Sequence, residues 1–325
     1  MAERPRIAVV GATGAVGTVT LALLAERDLG HVRAFASARS AGRTVAFGSE
    51  ELLVEEATPE ALAAGSLDLA FFSVGTAASR ELVPSAANAG VTCIDKSDAF
   101  RLADGVPLVV AGVNDEAAGN DAIVANPNCS AIQLASVLAP LHEATGLARV
   151  RLATYQSMSG AGDAAMRELR ETPSAEADLR MDWELDGEEF SEEWKLRAET
   201  RKILDLPDLP LQAQCVRAPV LVGHAQAIWI ETEQPLEPED ALDFLAEAPN
   251  VALEDFATPR DAAGRDEVLV GRIRRDPTVE NGLALWTVND NLRKGAALNA
   301  VQIAQRVLEA ARAAGQIAPP SARFA

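Results

Sequence analysis

Short apolar runs alternate with amphipathic stretches along the first half of the chain. Arg6–Val10, Val32–Ser37, Leu69–Ser73, Thr92–Asp95, Pro107–Val110 and Ile123–Ala125 read as buried strands. Between them Ala15–Glu26 and Ala77–Ala89 read as helices, with Val16, Val19, Leu23 and Leu24 on one face of the first. This alternation predicts a parallel sheet covered by helices on both faces. From Val150 the pattern changes. Strand-like runs at Arg149–Gln156, Gln214–Val216, Ala225–Glu231 and Val268–Arg274 mix with helical stretches at Ala164–Arg170, Glu192–Leu204 and Glu239–Glu247. They predict an α+β domain around a largely antiparallel sheet. A last helix, about Ala296–Ala314, carries Leu298, Val301, Leu308 and Ala311 on one face. The densely acidic segment Glu184–Glu193 reads most simply as a solvated loop or helix start.

Composition narrows the class. A chain of 325 residues suggests two domains of ordinary size. Its net charge of −19 argues against non-specific nucleic-acid binding, which needs a basic face. Any anionic ligand must therefore be held by a local cluster of Arg, Lys and backbone N–H groups. Three cysteines make no disulfide framework and fit a reducing cytosol. No apolar stretch approaches the roughly 20 residues of a membrane span. The N-terminus runs straight into a strand and a glycine loop, which leaves no room for a signal peptide. A soluble cytoplasmic enzyme is the expectation.

The loop Gly11-Ala-Thr13-Gly14-Ala15-Val16-Gly17 follows the first strand and opens a helix. Glycines there permit a tight turn and let a phosphate approach the backbone, and the helix N-terminus faces the negative charge. Alone the pattern is weak, because a purely structural strand–helix turn looks the same. The next strand selects the cofactor. NAD-selective folds end it with an Asp or Glu that binds the ribose 2′-hydroxyl. Here it ends in Ser37-Ala-Arg39-Ser40. A 2′-phosphate would meet an arginine and two hydroxyls, so NADP is favoured.

Asn126-Pro-Asn128-Cys129-Ser130 lies between a strand and a helix. A thiol at a helix N-terminus feels partial positive charge, which favours the nucleophilic thiolate. Cys93, inside an apolar strand, reads as buried and inert; Cys215, near Arg217, reads as structural. The three histidines, at 31, 142 and 224, have no metal-ligand spacing, so no catalytic metal is expected.

Taken together, GATGAVG at 11–17, ASARSAG at 36–42, PNCS at 127–130 and YQSMSGAG at 155–162 resemble the aspartate-β-semialdehyde dehydrogenase family. EEWK at 192–195, RAPVLVGH at 217–224, GRIRRD at 271–276 and DNLRKGAALNAVQIA at 290–304 extend the resemblance almost end to end. It implies a Rossmann-type NADP-binding domain, residues 1–128 and 296–325, and a catalytic and dimerisation domain, residues 129–295, like that of glyceraldehyde-3-phosphate dehydrogenase. It implies NADPH-dependent reductive dephosphorylation of 4-phospho-L-aspartate to L-aspartate 4-semialdehyde, on the route to diaminopimelate, lysine, threonine and methionine. The partners implied are a small-molecule substrate, phosphate and further copies of the chain in a homodimer or homotetramer.

By motif, Cys129 looks like the acyl-thioester nucleophile, His224 the acid/base and Gln156 the residue that orients the reacting groups. Arg217 would clamp the substrate α-carboxylate and Glu192 its ammonium, while Arg101, Asn128 and Lys195 would form the phosphate site. Gly11, Thr13, Gly14, Ala15, Val16, Gly17, Ser37, Arg39, Ser40, Ser159, Gly160 and Asn291 look like cofactor contacts. The residue types suit the chemistry: a thiol displaces phosphate to give a thioester that accepts hydride, an imidazole shuttles a proton, and a guanidinium matches a carboxylate bidentately.

Each residue also has an ordinary structural reading. His224 could fill the sheet, Glu192 and Lys195 could be an i,i+3 surface pair, Arg101 could lie on the surface, and Asn291 could cap the following helix. The chain departs from the family between Gly162 and Glu192, where a longer segment with an Asn…Pro stretch is usual. Two other functions compete: N-acetyl-γ-glutamyl-phosphate reductase, whose acylated substrate has no need of Glu192, and a catalytically inactive nucleotide-binding paralogue.

Overall fold

The computed structural model describes residues 4–64, 67–119 and 121–313. They form two compact units, one running to Pro127 and taking in the segment from Ala297, the other Asn128–Ala296. Residues 1–3 and 314–325 of the expected cofactor domain, with the last residue of the expected final helix, lie outside the described residues.

The first unit is built on β1 (Arg6–Val10), α1 (Ala15–Arg27), β2 (His31–Ala36), β3 (Thr44–Phe47) and β4 (Glu50–Glu56). It continues through α2 (Pro59–Ala63), β5 (Leu69–Phe72), α3 (Thr76–Asn88), β6 (Thr92–Asp95) and β7 (Ile123–Ala125). The strands form one sheet in the order β3-β4-β2-β1-β5-β6-β7, parallel except for the β3–β4 hairpin. Successive residues of β1 serve opposite faces. Ile7 and Val9 pack in one core with α1 and the helix Leu298–Ala313, while Ala8 and Val10 pack in the other with Leu82 and Val83 of α3. A strand buried on both faces must be apolar throughout, which is why these runs are continuous. The strand order reverses direction beside β1, the place where doubly wound sheets open a ligand crevice at their carboxyl ends.

Two expectations change here. Pro107–Val110 is not a strand of the sheet; it touches β7 at the single bridge Leu108–Ala125. Pro107 has no N–H to extend a ladder, and the chain already turns at Val110, whose carbonyl accepts from Val113. The β3–β4 hairpin was not foreseen. Its two-residue turn, Gly48-Ser49, joins Phe47 to Glu50, and Gly48 has φ of +60°.

The second unit runs through α4 (Cys129–Thr145), β8 (Leu147–Gln156), α5 (Asp163–Glu171), β9 (Leu185–Asp186), β10 (Glu189–Phe190) and α6 (Ser191–Ile203). It ends with β11 (Leu211–Arg217), β12 (His224–Thr232), α7 (Pro238–Glu247), β13 (Val251–Leu253), α8 (Pro259–Ala262), β14 (Val268–Arg275) and β15 (Gly282–Asn289). The order of the six-stranded sheet is β11-β8-β12-β15-β14-β13. Its three inner pairings are antiparallel, as expected, but both outer pairings, β11–β8 and β13–β14, are parallel. A π-helical turn, Arg293–Ala297, follows β15.

Candidate active site

Sterics fix the glycine loop of the first unit. Gly11 has φ of +86°, and a Cβ built on it would lie 2.3 Å from the Ser73 carbonyl oxygen. A Cβ on Gly17 would lie 2.1 Å from the Gly11 oxygen. Backbone cannot yield at such distances, so both positions require glycine. Gly14 meets only ordinary contact and is the N-cap of α1, with no side-chain cap on the helix. The first amides of α1, beside Thr13, Ala15 and Val16, are therefore a ready anion cradle. After β2 the chain turns through Ser37–Ser40, where the Ser40 N–H donates to the Ser37 carbonyl at 2.8 Å. Ser37 and Arg39 are exposed and Ser40 half-buried. Backbone amides, two hydroxyls and a guanidinium, with no carboxylate among Ser37–Ser40, form a donor set that fits the phosphates of NADP.

The reactive group lies in the second unit. Cys129 is the first residue of α4, and Asn128 caps that helix by accepting from the Ser130 N–H at 2.8 Å. The cap leaves the sulfur at the positive end of a 17-residue helix. His224 Nε2 is 3.1 Å from Cys129 Sγ. The imidazole is completely buried. Its Nδ1 accepts from the Ser157 backbone N–H at 3.0 Å. A backbone N–H can only donate, so the neutral ring carries its proton on Nε2, facing the sulfur. Burial, with the like charge of Arg217 adding to it, pushes the His224 pKa down to about 3, so the ring is neutral around pH 7.

Asn291 braces this pair. Its Oδ1 accepts from Ser157 Oγ at 2.9 Å, Ser159 Oγ at 3.0 Å and the Gly223 N–H at 2.9 Å, on the turn that leads into His224. It is not the cap of the following turn; Asp290 accepts from the Leu292 and Arg293 amides instead. Gly160 backs onto the same group: a Cβ there would lie 3.2 Å from Arg217 Nη1 and from His224 Cε1 and Nε2.

A buried polar chain continues from the cap. Glu192 Oε1 accepts from Asn128 Nδ2 and from Gln156 Nε2, each at 2.9 Å. Gln156 Oε1 in turn accepts from Thr154 Oγ1 at 3.0 Å. Glu192 and Glu193 are both buried, so the solvated reading of the acidic segment fails at these two, while it holds for Glu184, Asp186 and Glu188, which are exposed. The neighbours have different employments. Glu193 accepts from the backbone N–H groups of Phe190 and Cys215, so it holds the fold, whereas Glu192 faces Gln156 and the nucleophile's cap. Arg217 is buried at the end of β11 and donates from Nη1 to the Ser157 carbonyl at 3.0 Å.

The second unit thus gathers Cys129, His224, Gln156, Arg217, Glu192, Asn128, Ser159, Gly160 and Asn291. Lys195 is half-buried, one turn along α6 from Glu192, with Nζ 5.9 Å from the Trp194 ring centre. The simple surface pair with Glu192 is not what forms, since Glu192 is buried on Asn128 and Gln156. Arg101, in the first unit, is half-buried and donates to the carbonyls of Asn126 and Lys96 at 3.1 and 2.7 Å, so it is no free surface residue.

Three residues escaped the sequence. Ser157 fixes the His224 tautomer, Glu199 accepts from the Asn128 N–H at 2.6 Å, and Asp182 pairs with Arg217 at 3.0 Å. Glu199 had a signal: it is seven residues from Glu192, on the same face of a helix. Asp182 had none.

Burial also sorts the other thiols. It pushes the Cys93 pKa up to about 12 and that of Cys215 upward as well. Among the described residues no group of His, Cys, Asp and Glu is arranged to hold a metal.

The family model "Semialdehyde dehydrogenase, NAD binding domain" matches residues 6–120, and "Semialdehyde dehydrogenase, dimerisation domain" matches 138–184 and 179–294. The chain is 42% identical to an aspartate-semialdehyde dehydrogenase of Corynebacterium glutamicum, over 93% of this chain and 99% of that one. It is 40% identical to the Bacillus subtilis protein of the same name, over 92% and 96%. The crystal structure of aspartate semialdehyde dehydrogenase II complexed with ASA from Vibrio cholerae superposes with a TM-score of 0.89 at 39% identity, covering 94% of this chain and 99% of the other.

Proposed function

This chain belongs to the aspartate-semialdehyde dehydrogenase family, and from that premise we propose how its residues perform the family's reaction. The enzyme reduces 4-phospho-L-aspartate to L-aspartate 4-semialdehyde, reversibly, in the biosynthesis of lysine, threonine and methionine. Cys129 Sγ bonds to the acyl carbon, the carbon–oxygen bond to phosphate breaks, and phosphate leaves a thioester on the sulfur. The glycine loop and Arg39 would hold NADPH, which would supply the hydride. The His224 Nε2–H first donates to the thiolate and then meets the oxygen that becomes negative in the tetrahedral hemithioacetal. As that species collapses, the carbon–sulfur bond breaks, the aldehyde departs and the sulfur returns to its donor.

Arg217 holds the substrate α-carboxylate and Glu192 the α-ammonium, while Gln156, bonded to Glu192, orients the acyl group. Arg101, Asn128 and Lys195 take the phosphate. Ser159 and Gly160 approach the cofactor, and Asn291 holds their loop. One observation carries the mechanism: a sulfur at the start of a capped helix, 3.1 Å from an imidazole nitrogen whose tautomer a backbone amide sets. The buried carboxylate of Glu192 favours a free ammonium on the substrate over the neutral amide of an N-acetylglutamyl substrate.

The enzyme works as a homodimer or homotetramer in the cytoplasm. The match of residues 138–294 to a dimerisation domain supports the first point. No helix among the described residues is long and apolar enough to cross a membrane.

The test is NADPH formation from aspartate semialdehyde, NADP and phosphate by the purified protein. Turnover requires phosphate, disappears in Cys129→Ala and persists in Cys215→Ser. Substantial turnover in the alanine variant refutes the covalent route.

A further inference from the structure

Arg217 is not open on all sides. A guanidinium offers a carboxylate two forks, the side-on pair Nε and Nη2 and the end-on pair Nη1 and Nη2. In this chain a strap of residues 180–183 crosses the end of β11 and occupies the first. Arg180 and Arg217 exchange backbone hydrogen bonds of 2.9 and 2.8 Å, and Arg180 is paired at 2.8 Å with Glu168 of α5. This anchorage sets Asp182 against the guanidinium, with both carboxylate oxygens 3.0 Å from Nε. The Trp183 ring lies over the guanidinium carbon, 4.6 Å away, and covers one face. Nη1 gives one bond to the Ser157 carbonyl, and Nη2 has no hydrogen-bond partner among the described residues. The hydrogens left for a ligand are those of Nη2 and the second one of Nη1, the end-on pair.

We propose that Asp182 is a positioning residue that closes the side-on fork of Arg217, so that the substrate α-carboxylate docks end-on and its acyl carbon reaches Cys129. The proposal rests on the reading of Arg217 as the carboxylate clamp. The two forks point in different directions from the guanidinium carbon, so a carboxylate seated side-on carries the acyl carbon several ångströms off line. A displacement of even about 1 Å costs about a hundredfold in rate. Side-on binding is therefore unproductive, and Asp182 excludes it by filling the place.

Unproductive binding has a kinetic signature that loss of packing does not share: kcat and KM fall together while kcat/KM holds. In Asp182→Ala, kcat and KM for aspartate semialdehyde should both fall about tenfold, with kcat/KM changed less than about threefold. Asp182→Asn keeps an oxygen acceptor for the Nε–H, so it should retain both parameters. An alanine variant with wild-type kcat and KM, or with a raised KM, overturns the proposal. So does an asparagine variant that behaves like the alanine one. Thermal melts and NADP binding, measured in parallel, establish that each variant is folded. Arg217→Lys separates the two ideas, because lysine has no fork. If it leaves KM for the semialdehyde unchanged, the clamp itself is wrong. If it raises KM while Asp182→Ala matches wild type, only the role of Asp182 falls.

Discussion

Gly160→Ala tests the site at its tightest point. Gly160 does not have positive φ, so alanine brings no backbone strain and the effect is one added methyl. That methyl would stand 3.2 Å from Arg217 Nη1, His224 Cε1 and His224 Nε2, where ordinary contact begins at 3.4 Å. Each contact is thus about 0.2 Å too close, and neither neighbour can retreat freely. Arg217 is held by Asp182 and the Ser157 carbonyl, and His224 by the Ser157 amide and the Cys129 sulfur. The strain resolves by a shift of some tenths of an ångström between the imidazole and the sulfur. If about 1 Å of misplacement costs about a hundredfold, a shift of about 0.2–0.5 Å costs about three- to tenfold. That is about 0.6–1.4 kcal/mol in the barrier. Steady-state kinetics with aspartate semialdehyde, NADP and phosphate should show this loss in kcat/KM, with the melting temperature unchanged. Wild-type kcat/KM in a folded Gly160→Ala variant would refute the packing argument.

Two further outcomes follow from charge. The His224 pKa, down to about 3 in the folded chain against an ordinary 6.5, means that only the unfolded state takes up the proton as pH falls below 6.5. Stability is therefore lost on acidification, by about 2 kcal/mol between pH 7 and 5 from this group. Urea melts of wild type and His224→Asn at the two pH values should differ by that amount, and parallel profiles would show a ring that protonates in place. Arg39→Asp should weaken NADP by about 1.5–3 kcal/mol and relatively favour NAD, as one charge-assisted phosphate contact is lost. Equal catalytic efficiency with the two cofactors in the unmodified enzyme would contradict the assignment.

What the sequence conveyed follows the physics of each signal. Continuous apolar runs and glycine placement are local, so β1, the loop 11–17 and α1 could be read directly, as could the cysteine at the start of α4. Glu50–Glu56 hid a strand because only Leu52 and Val54 carry its apolar pattern amid four glutamates, although Gly48-Ser49 marked the turn. Charge density misled at Glu192 and Glu193. Five acidic residues precede them within ten positions, and only the fold sets backbone amides and Gln156 against these two. Partners far apart in the chain, such as Ser157 with His224 or Asp182 with Arg217, leave no trace in spacing at all.

The three thiols carry one consequence beyond turnover. Attack by peroxide or an electrophile requires an accessible thiolate. Cys93 and Cys215 are buried, with pKa values that leave almost no thiolate at physiological pH. Thiol oxidation of this chain therefore begins at a single atom, Cys129 Sγ, and that atom is the one on which the flux of a branched pathway depends. Two sheets, each burying one sulfur, thus leave the enzyme's thiol reactivity concentrated on the third.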